Sequence, residues 1–107
     1  MRWRYGGGYI RGMERDSLPR ELRPFVDEDG VLVQWPARRK VQRMALELLE
    51  GRFEVRREYS EREVNETLMD WHTFRDWALL RRRLFDWRYM DRESDGTRYR
   101  LRPTPET

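Results

Sequence analysis

The chain has 107 residues, of which 40% are charged and 13% aromatic, and its formal net charge is +3. This length corresponds to one small domain with a modest core, and the lack of cysteine excludes disulfides, thiolate nucleophiles and cysteine-bound zinc. Lys40 is the single lysine, so 22 arginines face 20 acidic residues. The places where arginines cluster are therefore more informative about partners than the total charge.

The ends of the chain differ in composition from its centre. We divide it into a basic, aromatic arm over residues 1–16, a domain over residues 17–102 and a tail over residues 103–107. No apolar stretch approaches the roughly 20 residues that a membrane-spanning helix needs, and the first residues lack the apolar centre of a secretory signal. We therefore expect a cytoplasmic protein with no membrane partner.

The first part of the domain predicts short elements. Residues 18–22 indicate one helical turn that ends before Pro24. Residues 27–30 are typical of a chain reversal, and residues 31–33 of a short strand. The acidic reversal lacks the later oxygen ligands of a calcium loop, so we expect no metal there.

Three helices are predicted next. The first begins at Pro36 and ends at Gly51, with one apolar stripe formed by Val41, Met44, Ala45, Leu48 and Leu49. Ser60 and Glu63 form a capping box for the second helix, whose inward residues are Val64, Leu68 and Trp71. Thr73 and Asp76 repeat this pattern in a weaker form and predict the start of the third helix.

The last part of the domain predicts a hairpin. Residues 87–92 and 98–101 are extended runs on either side of Asp95 and Gly96, a strong hairpin signal. A third helix close behind the second, followed by such a hairpin, predicts an α+β fold. We interpret it as a small winged helix-turn-helix domain with three main helices, a C-terminal two-stranded wing and a short N-terminal strand.

Several stretches together resemble the bacterial family catalogued as domain of unknown function 2087. The resemblance covers most of residues 25–101 and is carried by residues 25–30, Gln34-Trp35-Pro36, Arg38-Arg39-Lys40, residues 59–66, residues 80–84 and Tyr99. It implies a winged-helix-like domain that occurs alone or attached to helix-turn-helix transcription regulators. It supplies no catalytic residue or ligand. This chain departs from the family pattern in its bulky Trp71, Trp77, Phe85 and Trp87.

Catalytic machinery is not evident from the sequence. The serines lie in cap or turn contexts without a neighbouring imidazole, and His72 is the only histidine. We interpret His72 as a capping or packing residue rather than a metal ligand. No enzymatic activity and no cofactor are expected.

The third helix carries the most informative arginines. At 100° per residue, we expect an inward arc of Phe74, Trp77, Ala78, Leu84 and Phe85. Arg81 projects into that arc, so a structural pairing with Glu66 or Asp70 is favoured. The opposite edge holds Arg75, Leu79 and Arg82, with Arg83 nearby.

We identify this edge as a candidate DNA contact, with a solvated face as the open alternative. In the wing, strand alternation places Arg98, Arg100 and Arg102 on one side as a basic ridge. Arg38, Arg39 and Lys40 lie at the start of the first helix, where a phosphate would offset their charge.

Two functional hypotheses follow from these patterns. The first is a DNA-binding domain of a bacterial-type transcription regulator, with the third helix in the major groove and the wing on the phosphate backbone. The second is a protein-interaction or homodimerisation module of the same fold that does not bind DNA. Exposure of Trp3, Trp77 or Trp87 would favour the second.

Overall fold

The computed structural model describes residues 15–95 and 97–102, so most of the predicted arm, Gly96 and the predicted tail lie outside the described residues. The main elements are α1 (Arg39–Glu50), α2 (Glu61–Asp70), α3 (Trp77–Asp86), β1 (Met90–Arg92) and β2 (Tyr99–Leu101). The prediction of an α+β domain with three main helices and a C-terminal two-stranded hairpin is confirmed. None of the described helices combines the length and the apolar character required to cross a bilayer.

The segment before α1 contains two short 3-10 turns, Arg15–Ser17 and Arg23–Phe25. Pro24 lies inside the second turn, at an early position where its missing N–H breaks no hydrogen bond. The predicted turn before Pro24 is present, since the amides of Leu22 and Arg23 donate to the Pro19 carbonyl at 3.0 and 3.3 Å, and the turn that contains Pro24 is an additional one.

The predicted N-terminal strand is reduced to isolated bridges around Leu32. Leu32 pairs with Val26 on one side and with His72 on the other. The Leu32 amide donates to the Trp71 carbonyl at 2.9 Å, and the Thr73 amide donates to the Leu32 carbonyl at 3.0 Å. These bonds fasten the N-terminal segment to the connection between α2 and α3.

Helix α1 begins at Arg39 rather than at Pro36, because Arg38 still has an extended backbone. The side chain of Gln42 donates to the Pro36 carbonyl at 2.8 Å and closes this entrance. Gly51 ends the helix as expected. The buried stripe also includes Leu46, which is fully buried and widens the predicted apolar face.

The capping box predicted for α2 is confirmed. The Glu63 amide donates to the Ser60 hydroxyl at 3.1 Å, and the Ser60 amide donates to the Glu63 carboxylate at 2.8 Å. These bonds lower the pKa of the Glu63 carboxyl, with a further contribution from nearby Arg57. Two amides that the helix itself cannot satisfy are thereby paired.

The predicted cap of α3 at Thr73 was wrong. Asp76 is the N-cap, and its carboxylate accepts from the Leu79 amide at 3.3 Å. The Asp76 amide donates to Nε2 of His72 at 2.9 Å, and Arg75 has a left-handed backbone with φ of 56°. Because these features hold residues 73–76 out of the helix, α3 starts three residues later than the Thr73 cap requires.

The hairpin is antiparallel and is extended by one residue that precedes α2. Met90 pairs with Leu101, and Arg92 pairs with Tyr99. Tyr59 and Tyr99 exchange two backbone hydrogen bonds of 2.8 and 2.7 Å. The hairpin is thus tied to the start of α2. Residues 87–89, predicted as strand, form a turn after α3 in which Arg88 has φ of 66°.

One core holds these elements together. Its fully buried side chains include Leu46 of α1, Val64 and Leu68 of α2, and Leu80 and Leu84 of α3. Full burial of an aliphatic side chain of this size stabilises the fold by about 1.5–3 kcal/mol. The core therefore fixes the rotation of all three helices about their axes.

The capping geometry gives a direct test. Replacement of Asp76 by alanine should lower the free energy of unfolding by about 1 kcal/mol, because the Leu79 amide loses its acceptor. Thr73→Ala should change it by less than about 0.5 kcal/mol, since exposed Thr73 only reaches the Val33 carbonyl at 3.4 Å. Urea unfolding of both variants measures the two values, and the reverse ranking would contradict the assigned cap.

Candidate nucleic-acid interface

Helix α3 is oriented by two leucines. Leu80 and Leu84 are both fully buried, and they lie one turn apart on the same side of the helix. Residues near the opposite side are consequently turned away from the core. Ala78 and Arg82 are exposed there, and Phe85 is half-buried beside them. We call the surface formed by Ala78, Arg82 and Phe85 the outer face of α3.

This orientation corrects part of the predicted inward arc. Leu84 is buried as expected, but Ala78 is exposed. The prediction omitted Leu80, which is followed directly by three arginines. Because Leu80 lies at the centre of the buried side, the true arc is rotated away from Ala78 and Phe85.

A groove separates the outer face of α3 from the hairpin. It has a volume of about 430 Å³, and its lining includes Ala78, Arg82, Phe85, Arg92 and Tyr99. The guanidinium of Arg92 lies 4.3 Å from the centroid of the Phe85 ring. This cation–π contact holds a positive charge of β1 against the helix side of the groove.

Arg82 has one acidic neighbour on its own helix. Its Nε lies 3.4 Å from the Asp86 carboxylate, and the two side chains are 77% and 41% exposed. Exposed ion pairs of this kind contribute about 0–1 kcal/mol to the stability of a fold. Arg82 can therefore exchange Asp86 for a phosphate or a base at little cost, and Asp86 competes with such a ligand.

Arg81 also lines the groove, but it is held by residues of α2. Its guanidinium donates to the Asn65 side chain and lies 3.9 Å from the Glu61 carboxylate. Its side chain is only 23% exposed. The expected partners, Glu66 and Asp70, are wrong, because Asn65 and Glu61 are the residues of α2 that reach it.

Two arginines of the predicted wing ridge are neutralised. Arg98 pairs with Glu58 at 2.9 Å, and Arg102 pairs with Asp91 at 2.9 Å. Arg100 is exposed and forms no ion pair within the described part of the chain. Arg100 lies opposite Asp91 in the hairpin and borders a separate cavity with Glu58 and Glu93, so Arg92 is the arginine that the hairpin offers to the groove.

The other residues of the predicted α3 edge lie apart from one another. Arg75 is exposed just before α3, and Leu79 is half-buried. Arg83 lies on the side of α3 that faces α1, where its guanidinium is 5.9 Å from the centroid of the Trp87 ring. The sequence-based grouping of Arg83 with Arg82 was wrong, because consecutive helical residues project about 100° apart.

The three basic residues at the start of α1 also have different surroundings. Lys40 pairs with Glu21 at 3.1 Å. Arg38 is exposed at the N-cap and supplies no side-chain hydrogen bond to the helix. Arg39 approaches the Trp87 ring from α1, with 4.6 Å between its guanidinium and the ring centroid. Trp87 is thus a shared neighbour of Arg39 and Arg83 that the sequence did not indicate.

His72 is engaged by the backbone at both ring nitrogens. Nδ1 bonds to the Leu68 carbonyl and must donate, whereas Nε2 accepts from the Asp76 amide. The buried ring therefore joins the end of α2 to the cap of α3. No group of three or more His, Asp or Glu side chains in residues 15–95 and 97–102 is arranged to hold a metal ion.

A protein-family model described as an uncharacterized protein conserved in bacteria, DUF2087, matches residues 31–101. The chain belongs to this family. The match includes all three helices and both strands of the DUF2087 domain, whereas the resembling stretch over residues 25–30 lies outside it. Comparison with curated proteins and with solved structures gave no match.

The buried Tyr89, whose charged neighbours lie on α1, gives a pH-dependent prediction. Burial raises the pKa of the Tyr89 phenol above its ordinary value, and Glu47 acts in the same direction. The stabilisation from the neutral phenol is present below the ordinary tyrosine pKa of about 10. It is lost as the pH rises through the higher pKa of the folded state.

We therefore expect the free energy of unfolding to fall as the pH rises above about 10, and Tyr89→Phe to flatten this fall. Urea unfolding across this range measures both curves. Parallel curves for the two proteins would show that Tyr89 does not cause the loss.

Proposed function

We propose that the domain binds double-stranded DNA through the outer face of α3 and the hairpin, and that it acts in transcription regulation. The observation that carries this proposal is the exposed pair of Ala78 and Arg82 across a groove from Arg92 of the hairpin. In this proposal α3 enters the major groove and the hairpin follows the phosphate backbone.

The shape of α3 supports this arrangement. Its ten residues give a helix of about 15 Å, and the major groove is about 12 Å wide, enough to admit an α-helix. Ala78 has a small side chain, so the helix can approach base edges closely at that point. Arg82 lies one turn further along the same face, and its planar guanidinium suits the two acceptors of a guanine.

The positive charge beside the groove supports the proposed contact between the hairpin and the phosphate backbone. Arg92 lines the groove and is held against Phe85. It can meet phosphate oxygens, which set the position of a protein on DNA without reading sequence.

The alternative is an interaction or homodimerisation module. It would be favoured by a broad exposed aromatic surface. Trp77 and Trp87 are instead partly buried against the core, and Trp3 lies outside the described residues. The described surface therefore gives the alternative less support than the DNA-binding proposal.

A salt-dependent titration tests the proposal. A fluorescent duplex of about 20 base pairs, two helical turns, is titrated with the protein from about 50 to 200 mM salt. With about six phosphates neutralised, the log–log slope should be on the order of −5. Arg82→Ala should weaken binding by about 1–3 kcal/mol because a base or phosphate contact is lost.

Arg62→Ala is the matched control. Arg62 forms an equivalent ion pair one turn along α2, with Glu66 at 3.2 Å, and is 87% exposed. Arg62→Ala changes the net charge by the same amount as Arg82→Ala. It should nevertheless leave DNA binding nearly unchanged. Absence of binding at low salt, or equal losses for Arg82→Ala and Arg62→Ala, would contradict the proposal.

The Asp86 carboxylate provides a test of the opposite sign. Asp86→Asn removes the competitor of Arg82 and one negative charge from the groove. We therefore expect tighter DNA binding, by a few-fold, in the same titration. Glu66→Gln is the matched control on α2, and an equal gain for both variants would show only an effect of net charge.

A further inference from the structure

Three arginines surround the indole of Trp87. The guanidinium carbons of Arg39, Arg43 and Arg83 lie 4.6, 5.3 and 5.9 Å from the ring centroid. Arg39 and Arg43 lie one turn apart on α1, and Arg83 comes from α3. We call these four residues the Trp87 cluster.

The Trp87 cluster lacks a counter-ion within the part of the chain that the structure describes. None of its three arginines forms an ion pair there, whereas neighbouring Lys40 pairs with Glu21. The first turn of α1 contains no acidic residue. The cluster therefore concentrates three positive charges, as many as the formal net charge of the whole chain.

One hydrogen-bond donor of the cluster also lacks an acceptor. Nε of Arg83 is buried and has no hydrogen-bond partner among the described residues. A buried donor without an acceptor costs free energy, and the cost is greater for a charged group. An anion bound here would accept from the guanidinium groups and reduce their mutual repulsion at the same time.

We propose that the Trp87 cluster is an anion site that binds a phosphate group. Guanidinium groups bind phosphate through paired, charge-assisted hydrogen bonds. The indole ring favours this use because it restrains the guanidinium groups by stacking while leaving N–H donors at their edges. Arg39 and Arg43 are exposed, so a ligand can reach the cluster from solvent.

Two kinds of ligand carry a phosphate group with this chemistry. One is the backbone of a nucleic acid, and the other is a small phosphate-bearing molecule. The nucleic-acid source rests on the proposed function, because the cluster would then add a contact beyond those of the outer face of α3. The small-molecule source does not depend on the proposed function. Two titrations distinguish them.

The first titration uses pyrophosphate alone and follows the indole N–H resonance of Trp87 in the ¹⁵N-labelled full chain, assigned with Trp87→Phe. We expect a saturable shift at constant ionic strength. The double variant Arg39→Gln/Arg43→Gln should bind pyrophosphate about tenfold or more weakly, because two charged donors are lost. Arg20→Gln/Arg62→Gln removes the same charge from exposed sites outside the cluster and should bind as the wild type does.

The second titration uses the fluorescent duplex. If the phosphate belongs to DNA, Arg39→Gln/Arg43→Gln should reduce the magnitude of the salt slope by about 1–2, and the control double variant should not. A pyrophosphate effect without a change in slope supports the site with a small-molecule ligand. Failure of both titrations overturns the site, whereas an inert Arg82→Ala with a working cluster overturns only the proposed function.

A charge-conserving variant separates binding from folding. Arg39→Lys/Arg43→Lys keeps both positive charges but loses the planar donor pairs, so pyrophosphate binding should fall less than in the glutamine variant. Thermal unfolding of both variants shows whether the fold is kept. Equal loss of binding in the lysine and glutamine variants, together with a lowered melting temperature in both, would mean that the arginines act only on the fold and would overturn the proposal.

Discussion

The burial of Leu80 and Leu84 fixes the direction in which every other side chain of α3 points. Both leucines are fully buried in the common core, and loss of either side chain would cost about 2–5 kcal/mol. Because α3 cannot turn without exposing them, Arg81 faces α2, Arg83 faces α1 and Arg82 faces solvent. One packing constraint thus gives three consecutive arginines three different environments.

This separation decides which charges are available to a ligand. Arg81 is held by Asn65 and Glu61, and Arg98 and Arg102 of the hairpin are held by acidic neighbours. In a chain with nearly equal numbers of basic and acidic residues, ion pairs of this kind cancel part of the positive charge locally. Two groups of arginines remain accessible to a ligand: Arg82 with Arg92 at the groove, where Arg82 has only an exposed pair with Asp86, and the arginines around Trp87.

Local signals in the sequence predicted the elements well. The capping box of Ser60 and Glu63 depends on residues three positions apart, so it could be identified without tertiary information. The start of α3 could not, because the amide of Asp76 is held by His72 and the connection is fixed by Leu32, far away in sequence. The inward-facing side of α3 was also misplaced, because it depends on tertiary packing. Only packing against α1 and α2 identifies Leu80 as the centre of that side. The Trp87 cluster was missed because it joins α1 to the residue that follows α3.

The central claim is that the outer face of α3 and the adjacent hairpin bind DNA. It is tested most directly by mapping amide chemical-shift changes on the ¹⁵N-labelled chain as duplex DNA is added. The account predicts the largest changes at Ala78, Arg82 and Arg92 and in the strand that contains Arg100, with Leu80 and the buried residues of α2 little affected. Saturating DNA that leaves Ala78, Arg82 and the hairpin unperturbed would contradict it.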